Sequence, residues 1–355
     1  MVRKRYIPMI LMLATLMSSC EKLVDFDPGE VEPYVVMVSK PVSDSLVAVY
    51  LGYSRFFLDN RNFNIIDNAS ITITSGNNTA VGTYDPKCFI QSEYYDDWNG
   101  YYGPTTYYGG YKFTVSPHPG DTMRLSATVP GYSETVTATT VVPQQPQVEI
   151  VDYVVDTMNE DPYSTSFYYR LRFRINCNSN KEFYSVKLYC GEIRQTLDDT
   201  VWMWVWDTTQ MRESYFSVSD PIVNNASLEG ALDGDDGSYG GREMYFSSER
   251  FSGGAHEFTM EFEYYYGMQA QINGMELPVV LEVRSLSEEM YRYDITSTGY
   301  TSELDGLFGE PVQVYCNIKG GIGIFGASTN KKVKAPTPRV ENFNNSSESY
   351  YKKKK

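Results

Sequence analysis

The strongest folding signal in this sequence is an alternation of apolar and polar residues with a period of two. It is clearest at Tyr169–Ile175, where four apolar residues alternate with three arginines. Successive side chains of a β-strand point to opposite faces of a sheet, so this segment predicts a strand with one buried and one solvated face. Similar segments recur and helical periodicity is almost absent, which predicts a mainly β fold. One short helix is predicted, beginning after Ser287, a good N-cap, and ending near Gly299.

The strands and turns divide the sequence into two β-sandwich-like domains. About six short strands separated by Gly, Asn and Pro turns predict an immunoglobulin- or prealbumin-like β-sandwich over residues 33–143. The polar segment Pro143–Gln147 indicates a stiff linker, and further strands predict a C-terminal β-domain over residues 148–326. Residues 327–355 have few apolar side chains to bury and are predicted to form a disordered polar tail.

The N-terminus carries an export signal. Three basic residues precede an apolar run from Ile7 to Met17, which is too short to cross about 30 Å of hydrocarbon. Small residues then lead to Cys20, as in a bacterial lipobox. We predict a lipoprotein signal peptide at residues 1–19, lipidation of Cys20 and an acidic tether at residues 20–32. The alternative is cleavage by the ordinary signal peptidase, which would leave a secreted protein with Cys20 as a spare thiol.

The net charge and the lack of catalytic motifs argue against several function classes. The formal net charge of −15 argues against nucleic acid as a partner, because a phosphate-binding surface needs a surplus of Lys and Arg. The only histidines are His118, in a turn, and His256, at the start of a strand. Neither has the neighbouring residues in the sequence that are typical of a catalytic triad or a zinc site. We therefore predict no enzyme activity, no metal and no cofactor. A carboxylate-dependent hydrolase stays an alternative, since two carboxylates from distant strands leave no local pattern.

Four cysteines follow the lipobox, and their spacing matches no metal motif. They are Cys88, Cys177, Cys190 and Cys316. An oxidising envelope would allow three disulfide pairings among them, and buried thiols are the alternative.

Aromatic residues are abundant, with 31 Tyr, 17 Phe and 4 Trp, and they concentrate in two segments. The first is Tyr94–Tyr111, predicted to be a long loop whose composition is typical of antibody loops. Its candidate binding residues are Trp98, Tyr101, Tyr102, Tyr107 and Tyr108. The alternative is a loop folded over its own sandwich.

The second aromatic segment is the predicted strand Val201–Trp206. Alternation places Trp202, Trp204 and Trp206 on one face and apolar residues on the other. The strand is either buried on both faces or exposes a tryptophan ladder, which would be a platform for a sugar ring, a peptide or another protein.

Two C-terminal motifs carry a family resemblance. They are "SLSEEMYRY" at Ser285–Tyr293 and "GLFGEPVQVYCNIKGGIGIFGAST" at Gly306–Thr329. They resemble the signature of the family catalogued as domain of unknown function four-two-four-nine. "NASITIT" at Asn68–Thr74 and "GGYKFTV" at Gly109–Val115 are similar to the regulatory-carboxypeptidase-type sandwich that opens such proteins. In the C-terminal motif we expect glycines to permit turns and close approach, and Ile322–Phe325 to supply a closing strand.

The resemblance implies an outer-membrane lipoprotein of a Gram-negative bacterium, often encoded beside a TonB-dependent transporter, and it implies no biochemical activity. We therefore expect a membrane-anchored, noncatalytic accessory of such a transporter that binds a partner, or a peptide or carbohydrate ligand, through its aromatic residues. We favour the outer face of the outer membrane over the periplasmic face. The alternatives are a structural subunit of a surface fibre, assembled through a donated strand, and the hydrolase.

Overall fold

The computed structural model describes residues 32–54, 65–91, 95–96, 101–102, 106–156, 168–179, 181–191, 194–198, 203–207, 211–223, 239–264, 277–298 and 313–341. The predicted signal peptide, Cys20, Trp98 and Trp202 lie outside the described residues. Contacts within the chain separate Met1–Pro33 from Tyr34–Lys355, and the fold below belongs to the second unit.

Two sheets face each other in the first sandwich, with strands numbered in chain order. From edge to edge, the first sheet contains β22 (Ile322–Phe325), β1 (Val35–Ser39), β2 (Ala48–Tyr53), β8 (Thr106–Lys112) and β5 (Thr83–Gln91). The second contains β10 (Thr135–Val141), β9 (Thr122–Thr128), β3 (Ser70–Ser75) and β4 (Asn78–Val81). Alternate residues of both sheets, such as Leu51, Ile73 and Leu125, are buried between them and form one apolar core.

Two more sheets form the second sandwich. The six-stranded sheet contains β18 (Tyr239–Gly241), β17 (Phe216–Val218), β20 (Ala255–Glu263), β12 (Tyr168–Asn176), β11 (Gln147–Asp156) and β24 (Arg339–Glu341). The opposing sheet contains β16 (Met211–Glu213), β13 (Phe183–Gly191), β21 (Val279–Leu286) and β23 (Ser328–Lys334), and β19 (Glu243–Ser247) also pairs with β13. A 3-10 turn (Ser248–Arg250) follows β19. Tyr169, Leu171, Phe173 and Ile175 of β12 are buried, which confirms the predicted strand and its core face.

Two short pairs of strands form separate two-stranded sheets. They are β6 (Tyr95–Asp96) with β7 (Tyr101–Tyr102), and β14 (Arg194–Asp198) with β15 (Met203–Asp207). With all these strands and one helix near the C-terminus, the predicted mainly β fold is confirmed.

Helix α1 (Glu288–Thr298) lies where the two sandwiches meet. Ser287 Oγ accepts a hydrogen bond from a backbone N–H of the first turn at 3.3 Å, which confirms the predicted N-cap. Tyr291 stacks on Phe183 of the second sandwich with ring centroids 4.6 Å apart. Asp294 Oδ1 lies 2.7 Å from Lys40 Nζ of the first sandwich. Within the described ranges, no helix has the length and hydrophobicity that a bilayer span requires.

The segment 313–341 corrects two predicted boundaries. The sequence pattern predicts residues 313–326 to belong to the second domain, but Ile318 and Phe325 lie in the core of the first sandwich. Ser328–Lys334, predicted to be disordered, pairs with β21 along its whole length, and Arg339–Glu341 pairs with β11. The shortage of apolar side chains that predicts disorder is also typical of an edge strand, where backbone hydrogen bonds hold the segment and charged side chains such as Lys332 and Lys334 face solvent.

The predicted closing strand, β22, runs parallel to β1 and depends on Gly323. Gly323 has a φ of +122°, and a Cβ built on it would lie 2.1 Å from the carbonyl oxygen of Met37 in β1. Only glycine permits this backbone angle together with so close an approach. The C-terminal motif therefore closes the first sandwich, although its sequence follows the strands of the second.

Candidate binding site

The described parts of the tyrosine-rich segment pair as a β-hairpin. β5 and β8 are its arms, and β6 and β7 continue them with the register unchanged from Phe89↔Tyr108 to Asp96↔Tyr101. The loop prediction is thus corrected for the described part of this segment, because tyrosine favours strands and paired aromatic residues stabilise a hairpin. We call Thr83–Lys112 the tyrosine hairpin. Its returning arm carries the candidate residues Tyr101, Tyr102, Tyr107 and Tyr108, whereas Trp98 lies outside the described residues.

An aromatic cluster fixes the base of the tyrosine hairpin. Phe89 stacks on Tyr108 with centroids 5.1 Å apart, and Tyr50 of β2 meets Tyr108 edge to face at 5.8 Å. Gly110 makes room for this packing, since a Cβ there would lie 2.4 Å from Phe89 Cε2. Each such aromatic pair contributes about 0.5–1.5 kcal/mol beyond its buried area. Tyr108 is therefore a half-buried part of the base, not a residue of a free loop.

A bulge and an ion pair lie beside this cluster. The register of β5 shifts between Asp85 and Phe89, which accommodates Pro86 in the strand. Lys112 Nζ of β8 lies 2.6 Å from Asp85 Oδ2. The hydrogen bond from Lys112 holds the pKa of Asp85 below its ordinary value. The outer surface at this end of the sheet therefore combines aromatic rings with a charged pair.

The tryptophan segment lies on a second long hairpin. β13 and β16 pair as far as Gly191↔Met211, and β14 and β15 continue from Arg194↔Asp207. From Gly191 to Arg194 the outgoing arm advances three residues, whereas from Asp207 to Met211 the returning arm advances four. The pairing of the two arms is therefore shifted by one residue between the two strand pairs, as a β-bulge would shift it. We call Phe183–Glu213 the tryptophan hairpin.

The outer part of the tryptophan hairpin is a ribbon of two strands. Trp204 and Trp206 of β15 are the backbone partners of Leu197 and Gln195 of β14. Among the described strands, β15 pairs with β14 alone. The predicted strand Val201–Trp206 is found as Met203–Asp207.

The two hairpins share one plan. Each has its base in a large sheet, one in each sandwich, and each extends beyond that sheet as a two-stranded ribbon with aromatic residues. A two-stranded hairpin is only marginally stable in water by itself. Large aromatic side chains dominate the energy of many interfaces once a partner buries them. The aromatic segments that the sequence singles out therefore lie on ribbons whose bases belong to the large sheets.

A group of charged residues covers the outer face of β13 and its neighbours. Lys187 Nζ lies 2.8 Å from Glu213 Oε1 and 3.3 Å from Glu243 Oε2. Burial by itself lowers the pKa of Lys187, but hydrogen bonds to both glutamates outweigh it and raise that pKa above its ordinary value. A glycosidase needs free space between its two carboxylates, whereas the Lys187 ammonium lies between these two. This pair does not supply the geometry of the hydrolase alternative.

Each histidine contacts one aspartate. His118 Nδ1 lies 2.8 Å from Asp44 Oδ1 at the surface, and His256 Nε2 lies 2.8 Å from Asp220 Oδ2. Within the described part of the chain, neither imidazole contacts a hydroxyl or thiol group, and no three His, Cys, Asp or Glu side chains converge as a metal site.

The four cysteines after Cys20 are free thiols in the structure. Cys190 lies in the core of the second sandwich, where burial raises its thiol pKa to about 12. Cys316 is exposed, and Cys88 and Cys177 are half-buried. Of the two readings that the sequence left open, the buried thiol holds for Cys190.

Together, the fold and the hairpins define a class of two-sandwich β protein that has aromatic hairpins as its candidate binding surface. A family model described as Domain of unknown function (DUF4249) matches residues 21–334, and the chain belongs to this family. The resemblance drawn from the C-terminal motifs is thereby confirmed. No curated protein matches the chain.

Proposed function

We propose that this protein is a noncatalytic, lipid-anchored protein of the outer membrane that binds a TonB-dependent transporter through its two aromatic hairpins. The observation that carries the proposal is the extension of both aromatic segments, as ribbons, beyond the sheets that hold their bases. A ribbon edge offers unpaired backbone groups for pairing with another chain, and aromatic residues are the type that contributes most in many protein–protein contacts.

The anchor in this proposal is the acylated Cys20. The acidic tether to residue 32 would reach at most about 40 Å at about 3.3 Å per residue, which keeps the sandwiches close to the membrane. Several acyl chains together hold a protein stably, whereas one chain binds only reversibly. Acidic residues directly after Cys20 favour the outer face of the membrane.

The family resemblance supports the choice of partner, because such lipoproteins are often encoded beside TonB-dependent transporters. A peptide or carbohydrate that the transporter imports is the ligand we expect the complex to handle. Rigid aromatic rings suit both roles, since they contribute large contact area at little cost in side-chain entropy.

The test is co-purification of the tagged mature lipoprotein from native outer membrane solubilised in mild detergent. One variant replaces Trp202, Trp204 and Trp206 with Ala, and a second replaces Trp98, Tyr101 and Tyr102 with Ala. Loss of hot-spot residues costs at least about 2 kcal/mol, so we expect at least about tenfold less transporter with each variant.

The matched control is Val81→Ala/Val141→Ala, which removes apolar surface that is 67% and 50% exposed on strands outside both hairpins. The control is expected to retain the transporter, and circular dichroism must show that every variant is folded. Failure of wild type to bring down any transporter, or normal recovery by both hairpin variants, would contradict the proposal.

A structural subunit of a surface fibre is the second candidate, and β22 favours it. The edge of the first sheet beside β1 accepts a strand from a distant part of the chain, in the way that a subunit accepts a donated strand. This candidate predicts proteolytic maturation and detergent-resistant oligomers on cells. Stable, unprocessed monomers in detergent would count against it.

A further inference from the structure

The outer face of the six-stranded sheet is a set of cross-strand ion pairs. Arg174 of β12 donates to Glu149 of β11 at 2.9 Å and, through Nε, to Glu257 of β20 at 3.0 Å. Arg170 donates through Nε to Glu261 at 2.9 Å. Both arginines are therefore paired with a carboxylate directly across the strand, at their register positions.

Arg172, between these two arginines, has a threonine on β20 where each of them has a glutamate, and its register partner on β11 is Asp152. Its register partner on β20 is Thr259, which interrupts a run of alternate glutamates with Glu257 before it and Glu261 after it. Its one ion contact in the described part of the chain is Asp152 Oδ2 at 3.9 Å, which is too long for a hydrogen bond.

Asp152 is already held by another arginine. Arg339 Nη2 donates to both carboxylate oxygens of Asp152, at 2.9 and 2.7 Å. This hydrogen bonding from Arg339 keeps the pKa of Asp152 below its ordinary value. Both oxygens of the Asp152 carboxylate thus accept hydrogen bonds from Arg339. The Arg172 side chain is 47% exposed, and its guanidinium has N–H groups without a hydrogen-bond acceptor in the described part of the chain.

A depression of about 390 Å³ lies beside the Arg172 side chain. Its lining consists of Asp152, Val154, Arg170, Arg172, Thr259 and Glu261. Val154 is only 3% exposed and adds little apolar surface, and Thr259 contributes a methyl and a hydroxyl group. The other charged groups of the lining are engaged in the pairs described above.

We propose that this depression is a binding site for a carboxylate group, with Arg172 as the residue that binds it. A guanidinium fits a carboxylate with two parallel hydrogen bonds. The Thr259 methyl group is the apolar contact available to a short carbon chain behind the carboxylate. The flanking Asp152 and Glu261 disfavour a doubly charged phosphate. The carboxylate comes either from a small aliphatic acid or from an acidic side chain of a protein partner.

The first arm of the test measures the rate at which an arginine-specific dicarbonyl reagent modifies each arginine of the mature lipoprotein, by mass spectrometry of chymotryptic peptides. Arg174 is the internal control, because its side chain is 40% exposed, close to that of Arg172, but is paired. The probe is sodium propionate at tens of millimolar, compared with propionamide and with sodium chloride at equal ionic strength. We expect propionate to slow the modification of Arg172 at least about threefold and that of Arg174 hardly at all.

Two variants of Thr259 test whether the effect of propionate depends on the unpaired N–H groups of Arg172. Thr259→Glu supplies the missing carboxylate from within the sheet, so Arg172 should react more slowly and propionate should lose its effect. Thr259→Val keeps the shape without adding charge, and the propionate effect should persist. The proposal is overturned if propionate slows both arginines equally or neither, or if Thr259→Glu leaves its effect intact.

The second arm identifies the source of the carboxylate. If proteins that co-purify with the wild-type lipoprotein are lost with Thr259→Glu and kept with Thr259→Val, the carboxylate belongs to a partner's acidic side chain. If they are kept with both variants while propionate protects Arg172, the site takes a small acid. The first arm needs no transporter, so it stands or fails separately from the proposed function.

Discussion

Replacing Gly323 with alanine is expected to destabilise the protein by about 3–5 kcal/mol. The φ of +122° belongs to a region that residues other than glycine enter at a cost of about 1–3 kcal/mol. The added Cβ would also lie 2.1 Å from Met37 O, so β22 must move away from β1. Each backbone hydrogen bond lost between these strands costs about 1 kcal/mol more. The midpoint of thermal unfolding should fall by roughly 4–7 °C, because the unfolding entropy of a chain of this length is about 0.7 kcal/mol per kelvin.

The assay is thermal and urea unfolding of the mature protein, followed by circular dichroism, with hydrogen exchange of the β1 amides as a local readout. Gly131→Ala is the matched control, because Gly131 has a φ of +82° and nothing within 4 Å of its added Cβ. It measures the cost of the backbone angle alone, about 1 kcal/mol. If the two variants unfold at the same midpoint, the close approach of β22 to β1 is refuted.

Three further changes test other parts of the structure. Lys40→Ala should cost about 1–3 kcal/mol in urea unfolding, since it removes the ammonium from Asp294, which is 8% exposed, and an unchanged midpoint would contradict this. The hydrogen bonds from the His118 backbone N–H and from Ser75 lower the pKa of Asp121, so this stability is present above about pH 4 and lost as the pH falls through the lowered pKa. Asp121→Asn should therefore destabilise the protein at neutral pH, its difference from wild type should shrink as the pH falls through the lowered pKa, and a loss independent of pH would refute this reasoning. In native protein, iodoacetamide should label Cys316 and leave Cys190 unlabelled until unfolding, as mass spectrometry would show; rapid labelling of Cys190 would contradict its burial.

The features that the sequence predicts well are local. The alternation at Tyr169–Ile175 identifies β12 and its buried face, because each residue's face follows from its neighbours alone. Ser287 identifies the start of α1 for the same reason, since a cap acts within one turn. The aromatic segments were also found by composition, without knowledge of the fold.

The features that the sequence does not predict depend on partners far along the chain. β22 belongs to the first sandwich because β1 offers an edge, and β23 is ordered because β21 does. The sequence of β22 or of β23 by itself does not indicate which strand it pairs with. The open donors of Arg172 were missed as well, although the interrupted glutamate alternation at Thr259 is visible in the sequence once β12 and β20 are known to pair. The Gly, Asp and Asn residues of the tyrosine hairpin are typical of turns, so its composition alone predicts a loop.

The central claim, that the aromatic hairpins bind a membrane partner, is tested most directly by site-specific photo-crosslinking in living cells. A benzophenone amino acid would replace Trp98 or Trp204 in the hairpins, and Val81 or Val141 as exposed control positions on other strands. The account predicts a crosslinked adduct with a TonB-dependent transporter from the hairpin positions and none from the controls. Adducts from the control positions alone, or no adduct from either hairpin in a folded and lipidated protein, would contradict it.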